Sequence, residues 1–482
     1  MMQGMDRRDF VKGAATLAAT GLAAKAWAQP GDRRPSVLVL FTDDHGPHMG
    51  CLGTLGLRTP HFDDLAGSGT LFTNAYAPCA SCSPSRAALL TGRYPSSNGL
   101  WRNVVAPTLA DPPVQFTRES TKVDTVGTHE DVPTLVEMLR AEGIRSGIME
   151  KFHLSPPWKY RFDWKLPTAA IPKHRARATR QFLEGTDDSE PFFLLANIGT
   201  THRPFRPIPP EMGLPYVDPA MAEVPASLPD VPAVREDWAH YLSTVQVSDA
   251  CAGATLQTLE DMGRLEDAWV IMAADQGPPF QRAKATTYEA GIRIPMIVRP
   301  PGGSESILSA EPANLIDVLP TLCEMWGMET PAGVEGTSLM PLVRGENESL
   351  GRQHVFAEHN SHGLPLTTQL YPSRSVSDGR LKYIRNLMPE KRYEFPADLD
   401  TSGDPWFNRT YPATLAARDE FPLQYERLMS THERPPEELY DLHSDPDELR
   451  NLAGDPDWAE GQARLAAELD RWIGEVGLPD WS

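Results

Sequence analysis

Ser36-Val-Leu-Val-Leu-Phe-Thr42, running directly into Asp43-Asp44-His45-Gly46, is the stretch whose character sets the architecture. It is apolar without alternation, so it reads as a strand buried on both faces, as in a parallel sheet. Three more runs behave alike. Arg145 to Met149 meets Glu150-Lys151-Phe152-His153. Pro191 to Asn197 meets Gly199-Thr-Thr-His202-Arg203-Pro204. Asp267 to Ala274 meets Asp275-Gln276-Gly277. Helical patterns lie between and around them, over 85–91, 132–142, 174–185 and 237–262. Alternating strand and helix predict a doubly wound, mostly parallel α/β sheet. In such folds ligands bind at the carboxyl ends of the strands, where all four polar clusters fall.

Working outward, residues 33–350 are read as one large α/β domain. Residues 351–482 are read as a smaller α+β domain, with an amphipathic strand at Arg380 to Arg385 and a closing helix near Pro456–Val476. The 482 residues are 40% hydrophobic and 23% charged, ordinary for a globular chain with a sizeable core. Lys+Arg 45 against Asp+Glu 65 gives a net charge of −20, which disfavours nucleic acid or an anionic membrane as a partner for the whole surface. A small basic pocket remains compatible with it. Residues 435–482 carry 13 acidic and 3 basic side chains, most simply a solvated face. Five cysteines exclude a disulfide-dense scaffold and leave at least one thiol to explain.

The first 28 residues read as an export signal. Asp6-Arg7-Arg8-Asp9-Phe10-Val11-Lys12 precedes a mild apolar run from Gly13 to Ala24, and Ala26-Trp27-Ala28 closes it. The paired arginines match a bacterial twin-arginine signal. The run is too short and too rich in Ala and Gly for a stable membrane span. Cleavage after Ala28 would leave a periplasmic or secreted protein that is not integral to the membrane. Its 41 basic and 63 acidic residues give −22. A twin-arginine translocase is then one expected partner.

Cys82-Ser83-Pro84-Ser85-Arg86-Ala-Ala-Leu-Leu-Thr91-Gly92-Arg93 is the segment richest in chemistry. Because proline disfavours the α region for Ser83 just before it, the Cys82-Ser83 step is expected as an extended turn that opens a helix over 85–91. The first N–H groups of a helix favour anions, and Arg86 adds a permanent charge with bidentate donors. A thiol at such a place is either a nucleophile or a buried structural cysteine.

Cys-x-Pro-x-Arg followed by Leu-Thr-Gly-Arg resembles the signature of type I sulfatases in the alkaline phosphatase superfamily, and the similarity runs along nearly the whole mature chain. It implies that Cys82 is oxidised to formylglycine by a maturation enzyme, in the cytoplasm, before folded export. Cys79, with no proline two residues later, does not fit the motif. The resemblance further implies a metal site of Asp43, Asp44, residue 82, Asp275 and Gln276. Hard oxygen ligands suit Ca²⁺, with Mg²⁺ as the alternative. The commonest family form of the last pair is Asp-Asn, so Gln276 is a departure. Arg86, Lys151, His153, His202 and Lys284 look like the remaining catalytic groups. Cations suit the charge spread over a sulfuryl group. His202 is the candidate acid and His153 the candidate base, roles that the sequence leaves interchangeable. His45 and His48 form an H-x-x-H pair beside the aspartates, but zinc would need further ligands.

Tyr371-Pro-Ser-Arg374-Ser-Val376, with Glu438-Leu-Tyr440-Asp-Leu and Asn451-Leu-Ala453, is similar to the heparan N-sulfatase (N-sulfoglucosamine sulfohydrolase) branch. Glu358, His359, His362 and Arg374 are the expected contacts to the sugar of a sulfated saccharide. The competing expectations are an O-sulfatase on another sulfated polysaccharide, a phosphonate or phosphate monoester hydrolase of the same superfamily, and an exported glycan-binding protein without turnover.

Overall fold

The computed structural model describes residues 34–104, 126–363, 368, 370–394 and 409–481; the export signal expected over residues 1–28 lies outside them. Two sheets organise the chain. The larger contains β1 (Ser36–Thr42), β2 (Thr70–Tyr76), β3 (Arg145–Met149), β4 (Trp164–Leu166), β5 (Phe192–Ile198), β6 (Ala268–Ala274), β7 (Arg293–Arg299), β8 (Ile307–Ser309) and β9 (Ala313–Asn314). Its order is β4-β3-β5-β1-β6-β7-β2-β8, with β9 also on β2. β4, β3, β5, β1 and β6 are mutually parallel. β7 runs antiparallel to both its neighbours. The doubly wound, mostly parallel expectation is therefore met, and the four strands read from sequence are the four adjacent ones, β3-β5-β1-β6.

The apolar runs have a simple cause. Val37, Val39 and Phe41 pack in one core layer, while Leu38 and Leu40 pack in the other. In β6, Trp269, Ile271 and Ala273 face the first layer, and Val270 and Met272 the second. Both faces are covered by helices, so a polar side chain on these strands needs a buried hydrogen-bond partner, and most positions are apolar. The second face is closed mainly by helices Pro172–Glu184 and Pro232–Asp261.

The smaller sheet is antiparallel: β10 (Val355–His359), β11 (Ser373–Ser377), β12 (Leu381–Asn386) and β13 (Glu437–Asp441), in that order. The closing helix Ala459–Val476 lays Leu465, Leu469 and Trp472 on it, with Trp472 stacked on Phe356. The acidic C-terminal stretch is not one solvated face, as its composition suggests. Glu438 and Glu448 are buried. Glu438 accepts from the Tyr288 and Tyr440 hydroxyls, and Glu448 lies 3.4 Å from the Lys382 ammonium.

The two sheets meet at the loop that carries the cysteine motif. The Glu358 N–H on β10 donates to the Pro78 carbonyl, and the Ala285 N–H donates to the Ala80 carbonyl. Residues 78–81 are thus clamped between both parts of the molecule. The helix then starts at Cys82 itself, three residues earlier than the sequence suggests, with Ser81 extended as its N-cap. Pro84 falls in the first turn, where its missing N–H has no intrahelical role and so breaks nothing.

Candidate active site

Register brings the site together. Thr42 pairs with Ala274 across β1 and β6, so the residues immediately after them, Asp43 and Asp275, emerge side by side. The Asp43 N–H donates to the Ile198 carbonyl of β5, and the Asp275 N–H to the Thr42 carbonyl. β3 contributes Lys151 and His153 beyond its end, and the turn after β5 contributes His202. Asp44 itself has φ 51 and presents its N–H to the Asp275 carboxylate at 2.9 Å. Left-handed backbone is unusual outside glycine, and five of the six such residues described lie at or beside the predicted site: Asp44, Glu150, His153, Arg282 and Ala285. Strained conformations of this kind cluster where function demands them.

Arg86, one turn into the Cys82 helix, is the hub. Its Nη2 lies 3.1 Å from Asp43 Oδ1 and 2.9 Å from Asp275 Oδ2. Its Nη1 donates to the Asn197 side chain. Lys151 Nζ reaches both Asp43 oxygens, at 2.8 and 2.6 Å. Lys284 Nζ lies 2.8 Å from Asp44 Oδ2 and 3.3 Å from His202 Nε2. Gln276 Nε2 donates to Asp44 Oδ1 at 2.6 Å and to the Cys82 sulfur at 3.1 Å. Asp43, Asp44, Cys82, Arg86, Lys151, His202, Asp275, Gln276 and Lys284 therefore converge.

Electrostatics follow from burial and neighbours. Burial alone would raise the Asp43 carboxyl, but Lys151, a hydrogen bond from Asp275 and Arg86 outweigh it and hold it well below its ordinary range. Burial and the Asp43 charge push Asp275 the other way, well above. Such crowded carboxylates call for positive charge beyond the side chains. Burial pushes the Cys82 thiol up to about 12, past the helping charges of Lys151 and Lys284. A neutral thiol is a poor nucleophile, so an unmodified Cys82 does not suit nucleophilic work. Burial, then Lys151 and Arg86, hold His153 well below its usual value, so its imidazole is neutral near pH 7.

The residues fit a hard divalent cation. Ligand atoms of Asp43, Asp44 and Cys82 all lie within 4.8 Å of one another. Gln276 Oε1 is a buried acceptor with no hydrogen-bond partner. Gln276, although longer than asparagine, thus reaches the same cluster. His45 and His48 do not belong to it. His45 Nε2 donates to the His48 carbonyl and Nδ1 pairs with the Thr42 hydroxyl, while His48 Nδ1 meets the Tyr241 hydroxyl. Burial lowers the two to about 4 and about 3, so both are neutral packing residues.

The four expected sugar contacts are all buried. Glu358 and Arg374 are 0% exposed and pair directly across β10 and β11, with 3.1 Å between Nη2 and Oε2. Ser96 donates to Glu358 from both its N–H and its hydroxyl. His359 is equally buried, and His362 is packed near the Asn103 amide. Among the described residues, none of the four lines the cleft of about 620 Å³ that contains Asp43, Lys151 and His202. Removing one partner of a buried pair strands the other, so Arg374→Met should lower stability by about 3–5 kcal/mol. Urea unfolding checks this, and wild-type stability would contradict it.

Sequence reasoning missed Asn197. Its Nδ2 donates to the Met149 and Lys151 carbonyls, at 3.0 and 2.8 Å, while its Oδ1 accepts from Arg86. It ties β3, β5 and the Cys82 helix into one unit. The available signal was a lone amide near the end of an otherwise apolar strand. The Arg203–Asp237 pair, at 2.9 and 2.8 Å, was also missed; it anchors the segment after His202.

Carboxylates poised for a cation, ringed by fixed positive side chains at the switch edge of an α/β sheet, define a hydrolase of anionic esters. Comparison with known proteins narrows the class. The family model "Sulfatase" matches residues 35–166 and 173–328, and "N-sulphoglucosamine sulphohydrolase, C-terminal" matches residues 282–412. Human N-sulphoglucosamine sulphohydrolase is 30% identical over 93% of this chain and 91% of its own. An ulvan-active sulfatase of Formosa agariphila is 28% identical over 92% of this chain and 75% of its own. The solved structure of BT4656, in complex with its substrate D-glucosamine-2-N,6-O-disulfate, shares the fold at TM-score 0.65 and 19% identity, over 92% of this chain and 98% of that one. The chain belongs to the sulfatase family and is a sulfuric ester hydrolase.

Proposed function

We propose that this sulfatase releases sulfate from N-sulfoglucosamine of a sulfated glycan, with residue 82 matured to formylglycine and Ca²⁺ held by Asp43, Asp44, Asp275 and Gln276. The observation that carries the proposal is the match of the C-terminal region to the N-sulphoglucosamine sulphohydrolase model, joined to the convergence of Asp43, Asp44, Cys82, Arg86, Lys151, His202, Asp275, Gln276 and Lys284. The matured residue 82 supplies the hydroxyl nucleophile when hydrated, and the cation supplies Lewis-acid polarisation.

The side chains do the rest. Lys151 and Lys284 hold the negative charge of the sulfuryl oxygens, and Arg86 keeps Asp43 and Asp275 from repelling each other. His202 Nδ1 lies 2.6 Å from the Arg203 carbonyl, which can only accept, so Nδ1 carries a hydrogen and the proton is exchanged at Nε2. Nε2 faces Lys284 and delivers the proton to the leaving nitrogen or oxygen. His153, neutral and with an unpartnered Nδ1, would take up a proton from the hydroxyl that the matured residue 82 would carry. In this proposal the α/β domain, residues 33–350, carries the catalytic groups, and residues 351–482 form the smaller α+β domain beside it. The twin-arginine pattern over residues 1–28 supports export to the periplasm or outside the cell, after maturation in the cytoplasm.

His202→Ala should slow sulfate release from the sugar by about 10²- to 10⁴-fold. The loss should be much smaller on an aryl sulfate, whose phenolate leaves without full protonation. Equal losses on both substrates would remove His202 from the acid role. The specificity itself is tested by sulfate release from a panel of N-sulfated and O-sulfated saccharides. Turnover confined to the O-sulfated members would overturn it.

A further inference from the structure

Two cations of the cleft beside the catalytic side chains take no part in the chemistry above: Arg203, which is paired with Asp237, and Arg206. Arg206 is exposed on its wall, together with Lys151 and His202. Among the described residues it makes no hydrogen bond or ion pair. The acids nearby are already committed. Asp43 is held by Lys151 and Arg86, and Glu150 by Arg175 and the Gly199 N–H. Arg206 is therefore surplus positive charge at the mouth of the site, in a chain whose net charge is −20.

Its backbone is stiff. Arg203 is fixed to Asp237 by two hydrogen bonds and to the Pro279 carbonyl by a third. The same guanidinium lies over the Phe205 and Phe280 rings, at 4.3 and 4.6 Å. Pro204 and Pro207 restrict φ on either side, and the Ile208 N–H donates to the Tyr216 hydroxyl at 2.8 Å. A surface arginine usually loses conformational freedom when it binds, but here its anchor is already ordered. Part of the same wall is apolar, with Ile171, Ile208 and Met212. A planar fork above an apolar wall suits a sugar ring that carries an anionic group apart from the one being cleaved.

We infer that Arg206 is a specificity-determining residue that binds a second anionic group, sulfate or carboxylate, on the saccharide whose first sulfate enters the catalytic site. This rests on the proposed saccharide substrate. The test compares wild type, Arg206→Ala and Arg206→Lys on four compounds: 4-nitrophenyl sulfate, glucosamine N-sulfate, glucosamine 2-N,6-O-disulfate and a disaccharide of N-sulfoglucosamine with a uronate. Arg206→Ala should lower kcat/KM for at least one doubly charged compound by about tenfold or more, mainly through KM. The two singly charged compounds should lose no more than about threefold, and Arg206→Lys should recover part of the loss. Whichever doubly charged compound suffers identifies the group as sulfate or carboxylate. The same factor on all four compounds, or no loss on either doubly charged one, would overturn the inference about Arg206 alone. Wild type that cleaves the aryl sulfate but no saccharide would overturn the saccharide reading, and the inference with it.

Discussion

Cys82→Ala should abolish sulfate release, by at least about 10⁴-fold, while leaving the fold intact. The side chain is 2% exposed at the first position of its helix, and alanine is the best helix former, so the substitution removes chemistry with little structural change. Cys82→Ser separates the thiol from the aldehyde. A hydroxyl at this place keeps the size and a polar atom for Gln276, but it is not the product of cysteine oxidation. In a host whose maturation acts on cysteine alone, it should be as inactive as alanine. Activity in Cys82→Ala within tenfold of wild type would remove residue 82 from the mechanism.

The second large effect is expected at Arg86. It is 2% exposed and lies between two carboxylates, at 3.1 and 2.9 Å, with Asn197 behind it. Arg86→Leu fills similar space without the charge, leaving Asp43 and Asp275 to face each other. Breaking a buried ionic cluster in this way destabilises by about 3–5 kcal/mol. Because the proposed Ca²⁺ would bind the folded protein and not the unfolded chain, part of that loss should be regained as the cation is raised. Urea unfolding with and without Ca²⁺ measures both terms. A variant as stable as wild type would show that Arg86 is not the hub of the site. A loss that Ca²⁺ does not relieve would argue against a cation at these carboxylates.

The central sheet was legible because parallel strands buried on both faces leave a continuous apolar run, and β1, β3, β5 and β6 all do. β2 and β7 left weaker traces. β2 is interrupted by Thr73 and Asn74, and β7 contains Pro295, which normally argues against an interior strand. The register between them explains the exception: pairing skips between Phe72 and Ala75, so Pro295 falls at an irregularity, where no ladder hydrogen bond is lost. The helix start at Cys82 was missed because the rule about residues before proline restricts Ser83, not Cys82, and in the first turn of a helix it yields.

At the site, position after a strand end located Asp43, Asp44, Asp275, Gln276, Lys151 and His202, since strand order alone brings those ends together. The Glu358–Arg374 pair shows the opposite limit. Residue type suggested sugar contacts, but which charges neutralise each other depends on the register of β10 against β11, and nothing in either local sequence reveals it. Arg206 escaped notice for a related reason. An arginine's lack of a partner is visible only once every neighbour's partner is known.

The most direct test of the account is the mass of the tryptic peptide containing residue 82, taken from protein that is actively releasing sulfate. The account requires the cysteine CH₂SH to be replaced by an aldehyde, CHO, or its hydrate, in a fraction that tracks specific activity across preparations. Full activity in protein whose residue 82 is wholly unmodified cysteine would contradict it.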